Sequence, residues 1–147
     1  AETYLGTNRF KQFIFANFSD LECRGTSCEY EASPFIGTHT YQLDGEWFYG
    51  EEASVLRGDT GSLFMGFSAN QVNLVAGHDE GRRAQIYLDG ALITPEQAGE
   101  HVDENGEVLF QERNLYNLVD LDGAYGEHTI EIRFSEPGAE LYAFTFG

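Results

Sequence analysis

The residue types best suited to chemistry in this 147-residue chain are aromatic rings set beside hydrogen-bonding side chains. Trp47 and Tyr49 alternate onto one face of the short run Glu46-Trp47-Phe48-Tyr49, with Phe48 opposite, and Tyr116 closes Arg113-Asn114-Leu115-Tyr116. An aromatic ring packs on the C–H face of a sugar while Arg, Asn and Asp bond its hydroxyls. Trp47, Tyr49, Asp103, Arg113 and Tyr116 are therefore the candidate ligand-binding residues, on the premise that the rings face solvent. A competing reading makes Trp47 and Tyr116 core residues with their polar tips bonded at the rim. It makes Arg113 a structural partner of nearby acids.

Asp103 and Asn105 lie in His101-Val102-Asp103-Glu104-Asn105-Gly106-Glu107, which offers oxygen ligands and a glycine for a sharp bend. They are the candidate calcium ligands. The full spacing of an EF-hand loop is missing, and a plain hairpin turn uses the same residues. No other cofactor is expected. Cys23 and Cys28 are too far apart for a redox Cys-x-x-Cys motif. A disulfide between them would close a small loop and suit an oxidising compartment, with free thiols as the alternative. No further soft ligands stand near enough to make a metal centre of the pair.

Signals for catalysis are weak. His39, His78, His101 and His128 form no pair at metal-ligand spacing, and neither a Gly-x-Ser-x-Gly elbow nor a nucleotide-binding glycine loop occurs. With 25 Asp and Glu, a carboxylate pair can be drawn anywhere, so the pair a glycosidase needs carries no information. The chain reads as non-enzymatic, with a glycoside hydrolase kept as a distant alternative. The net charge of -17 opposes nucleic acid and anionic membrane surfaces. No apolar run is long enough for membrane insertion as a helix, and no signal-peptide pattern is visible. The opening Ala1-Glu2-Thr3-Tyr4 reads like an excised domain or a mature fragment.

Short strands must position these residues. Leu63, Met65 and Phe67 alternate onto one face; so do Val72, Leu74 and Ala76, then Ala84, Ile86 and Leu88, then Val108 and Phe110, then Ile130, Ile132 and Phe134. The same period assigns Tyr142, Phe144 and Phe146 to the core face of the last strand. Period two in segment after segment is the signature of half-buried antiparallel strands. Turn residues punctuate them at Asp44-Gly45, Gly58 to Gly61, His78 to Gly81, Asp89-Gly90, Glu104 to Gly106 and Asp122-Gly123. Only Pro95 to Gly99 looks helical, for about one turn. The prediction is a single all-β domain over 1–147, an antiparallel β-sandwich or jelly roll of about eight strands. Residues 1–38 would be an N-terminal arm and cysteine loop packed on it, with Asn8 to Phe18 an edge strand or extended segment.

Several segments then stand in a familiar order. They are Glu2 to Phe10, Leu43-Asp44-Gly45-Glu46-Trp47, Phe67 to Val75, Tyr87-Leu88-Asp89-Gly90, Val102 to Gly106, Glu112 to Val119 and Pro137 to Gly147. Together they resemble the domain that follows the thioredoxin fold in DipZ-like and related thioredoxin-family proteins. The resemblance implies a jelly roll like a carbohydrate-binding module or galactose-binding domain, joined C-terminally to a thioredoxin-like domain. It implies a non-catalytic binding or accessory role in a bacterial periplasmic or extracellular protein. The upstream thioredoxin-like domain and a cell-envelope carbohydrate would be its partners. An alternative role is structural, packing on the thioredoxin domain or forming a homodimer. Two positions depart from the family pattern. His101 stands in Gly99-Glu100-His101-Val102-Asp103 where an acid is usual, and Arg113-Asn114-Leu115-Tyr116 is one residue longer than the usual Arg-Leu-Tyr. The cysteine loop is not part of that pattern.

Overall fold

The alternating pattern does build strands, and they form one curled antiparallel sheet. The computed structural model describes residues 2–7, 14–15 and 25–147. Among the described residues there are twelve strands and no helix. They are β1 (Glu2–Tyr4), β2 (Ile14–Phe15), β3 (Ser27–Tyr30), β4 (Thr40–Tyr49), β5 (Ser54–Ala69) and β6 (Gln71–Gly77). There follow β7 (Arg82–Leu88), β8 (Ala91–Leu92), β9 (Glu107–Phe110), β10 (Asn114–Asp120), β11 (Gly126–Phe134) and β12 (Glu140–Phe146). Apart from the two-residue β2, which runs parallel to β4, every pairing between strands is antiparallel.

The main path runs β10-β6-β12-β5-β11-β7-β8. The long β5 joins its two leaves. Its first residues pair with β12, and Gly61 to Ala69 pair with β11. β1 extends the first leaf by pairing with β12, and β4 lies along β5. A sheet coiled this far closes its two apolar faces on each other. The five predicted inward sets from Leu63 to Phe134 are all buried between them.

Four features differ from the prediction. The turn expected at Gly58 to Gly61 is a bulge. Gly45 pairs with Gly61 and Trp47 with Leu56, so the single residue Glu46 faces four residues of β5. The strand bows outward and returns to the same neighbour instead of reversing. Gly45, also expected in a turn, lies inside β4 with φ of 102°, and a Cβ there would stand 2.9 Å from the Thr60 carbonyl oxygen. Only glycine fits that crossing. In β12 the register slips between Leu141 and Ala143. Leu141 and Phe144 become the fully buried residues, while Tyr142 and Phe146 are left half-buried. Lastly, Pro95 to Gly99 forms a turn, and Ala98 bridges to Val119 of β10. The Asp89-Gly90 hairpin turn and the Asp122-Gly123 turn between β10 and β11 both carry positive φ at both residues.

Candidate functional site

The rings predicted to face solvent do not. Trp47 and Tyr49 are 0% exposed and Tyr116 is 6% exposed. Trp47 and Tyr49 do share a face of β4, but that face is the core side. Trp47 stands edge-on to Phe134 with centroids 6.3 Å apart, and its Nε1–H donates to the Asp44 carbonyl at 2.8 Å. The Tyr49 hydroxyl meets that of Tyr41 at 2.7 Å. Burial, followed by the nearby Tyr49, pushes the Tyr41 phenol well above its ordinary value of 10.0. Each polar tip finds an internal partner, which lets a large ring enter the core without an unsatisfied group.

Tyr116 positions a neighbour. Its hydroxyl donates to the Glu112 carbonyl at 2.8 Å and accepts from the Gln111 N–H at 2.9 Å. This clamps the turn between β9 and β10 that carries Arg113. A Cβ on Gly77 would lie 2.7 Å from the Arg113 backbone, so the bare glycine lets the turn close against β6. Arg113 is thereby held over Tyr142, with its guanidinium carbon 3.8 Å from the ring centroid. A guanidinium on a ring face gains cation–π attraction and keeps its N–H edge outward. No carboxylate among the described residues pairs with it.

Tyr142 and Arg113 form part of a groove of about 330 Å³, with Tyr4, Glu2, Glu51, Glu52, Val75 and Ala143 as other walls. The Tyr142 hydroxyl donates to Glu140 at 2.7 Å, and that of Tyr4 donates to Glu2 at 2.9 Å. Burial, reinforced by Glu140, raises the Tyr142 phenol above 10.0, and Arg113 partly offsets the rise. Of the predicted site residues, Arg113 alone lines this groove. The sequence reading missed Tyr4 and Tyr142: a period-two count runs straight through the β12 bulge and assigns Tyr142 to the core.

Asp103 and Asn105 belong to an exposed turn apart from this groove. The Asp103 Oδ1 accepts from the Asn105 and Glu107 N–H groups at 2.8 and 3.0 Å, and Gly106 has φ of 75°. That carboxylate oxygen closes the turn itself, an Asx arrangement. Among the described residues no group of three His, Cys, Asp or Glu could hold a metal ion. Cys28 is disulfide-bonded, and Cys23, its predicted partner, lies outside the described residues.

The whole chain, residues 1–147, matches the family described as thioredoxin-like C-terminal domain. The chain belongs to that family. A comparison with curated proteins finds no match. Thioredoxin-like C-terminal domains are accessory modules of thioredoxin-family proteins, and membership points to a thioredoxin-like domain upstream. Glu2 and Tyr4 of β1 are walls of the Arg113 groove.

Proposed function

We propose that the domain is a non-catalytic binding module that holds a carbohydrate in the Arg113–Tyr142 groove for a thiol–disulfide protein. One observation carries this reading: a guanidinium stacked on a half-buried ring, its N–H edge without a carboxylate partner among the described residues, at the mouth of a groove. Arg113 supplies donors for sugar hydroxyls, and Glu51 and Glu52 supply acceptors. The Tyr4 and Tyr142 rings offer apolar surface to C–H groups. The chemistry is the same as that predicted from sequence, on different aromatic residues. Thiol–disulfide exchange would fall to the upstream domain, since this chain has no Cys-x-x-Cys. The bonded Cys28 supports an oxidising setting, the periplasm or exterior of a bacterium, where envelope glycans are at hand.

Isothermal titration with a panel of neutral envelope-type oligosaccharides tests the reading. Weak saturable binding is expected, with Arg113→Ala losing about tenfold, or about 1.4 kcal/mol. Silence across the whole panel sinks it. A second reading starts from the family: the thioredoxin-like domain that membership points to occupies the groove itself, against Glu2 and Tyr4. Hydrogen exchange at Tyr4 and Ala143, slower in the two-domain protein than in this domain alone, would favour that reading.

A further inference from the structure

We infer that the groove is one end of a longer trough across the β10-β6-β12-β1 leaf, which takes a neutral or amine-bearing glycan chain instead of a single sugar. The inference rests on the carbohydrate reading above and extends it. Strand register aligns the outer residues of this leaf in rows. One row runs Leu115–Val75–Ala143–Tyr4, and the next runs Asn117–Asn73–Thr145–Glu2. The middle of both rows has short side chains, so the face is low at its centre. Arg113 and Glu51-Glu52 stand at one end.

At the other end the same face holds a second hollow of about 530 Å³, lined by Gln71, Asn73, Asn117, Asp120, Glu100 and His101. Its amides are already oriented. Asn117 Nδ2 donates to Asn73 Oδ1 at 2.8 Å, its Oδ1 accepts the Glu100 N–H at 2.7 Å, and Asn73 Nδ2 donates to the Thr145 hydroxyl at 3.3 Å. His101 Nδ1 accepts the Asn117 N–H at 2.9 Å, which puts the ring proton on Nε2 as a donor. Fixed amides lose little freedom on binding and recognise hydroxyl and acetamido groups alike. Val75 and Gln71, one in each hollow, are four residues apart on β6, or about 13 Å along the strand. One sugar ring cannot reach both.

Charge narrows the ligand class. Glu2, Glu51, Glu52, Glu100 and Asp120 line the two hollows against the single Arg113. A polyanionic chain would be repelled, whereas a neutral or amine-bearing one would not.

The test is a length series of N-acetylglucosamine and glucose oligomers, monomer to hexamer, titrated against the intact domain, with galacturonate oligomers alongside. Affinity should rise at least about fivefold from dimer to hexamer, and galacturonates should not bind. Asn117→Ala should abolish the rise while leaving dimer affinity within about twofold, and Arg113→Ala should weaken every length. Gln71→Ala, which breaks no internal bond named here, should remove part of the rise even if Asn117→Ala fails to fold. Equal affinity at all lengths, or a Gln71→Ala and Asn117→Ala pair that bind hexamer normally, would overturn the trough and leave the single groove standing. Preference for galacturonates would overturn the charge assignment. Failure of every oligomer to bind overturns the trough together with the carbohydrate reading beneath it.

Discussion

Among the described residues two arginines lie on tyrosine rings, and their surroundings separate a structural pair from a receptive one. On the second leaf, Arg133 sits 3.9 Å from the centroid of Tyr87. Glu131 grips it through two bonds, Nε to Oε2 at 3.0 Å and Nη2 to Oε1 at 3.1 Å, and also takes the Ser62 hydroxyl at 2.6 Å. That grip raises the Arg133 pKa above its ordinary value. On the first leaf, Arg113 sits just as close to Tyr142, but there the acid Glu140 bonds the phenol instead. The motif is the same and the destination of the carboxylate differs. Where the acid holds the cation, the pair is closed; where it holds the ring, the cation's donors remain for a ligand.

The contrast can be broken at four points. The largest effect is expected at Gly77, because a methyl group there meets the Arg113 backbone and not a flexible side chain. Gly77→Ala should cost about 1–3 kcal/mol in urea unfolding and also lower glycan affinity. Next, Glu131→Ala should cost about 1–2 kcal/mol, since it strips charge-assisted bonds from Arg133 and Ser62, and leave glycan affinity unchanged. Third, Arg113→Ala should do the opposite, changing stability by less than about 0.5 kcal/mol while lowering glycan affinity about tenfold. Equal stability losses at Glu131 and Arg113 would erase the distinction.

The smallest effect concerns pH. The Tyr142 phenol has a raised pKa in the folded state, so the stability it contributes is fully present below about pH 10. That contribution is lost as the pH rises through the folded value, because the unfolded chain releases the proton first. The stability gap between wild type and Tyr142→Phe should therefore be constant below about pH 9 and narrow in favour of the variant above about pH 10. In Arg113→Ala the Tyr142 titration should move further up, since the offsetting charge is gone. A downward move would mean that the pair is not stacked in solution.

The fold was legible wherever alternation ran unbroken, as from Leu63 to Phe67 or Ile130 to Phe134. It was illegible at bulges. β10 carries its own slip between Asn117 and Val119, so Leu118 and Val119 are both buried, and no period-two count recognises such a strand. The site failed for a related reason. Trp47 and Tyr49 were correctly placed on one face, but local sequence does not say which face of a strand looks inward. That is decided by distant partners such as Phe134. Arg113, which does line the groove, was singled out because a cation beside amides and an aromatic ring is conspicuous by type. Tyr4 could be found only through its pairing with β12, a contact between the two extremes of the sequence.

The position of Trp47 has a spectroscopic consequence. It is the sole tryptophan, shut off from water, and in the register of β3 on β4 it stands directly opposite the bonded Cys28. Side chains facing each other across antiparallel strands have Cβ atoms about 5 Å apart. A sulfur–sulfur bond that near an excited indole drains its emission. The domain thus carries its own lamp, dim while that bond is intact and brighter once a reductant opens it, and shielded from whatever occupies the opposite leaf.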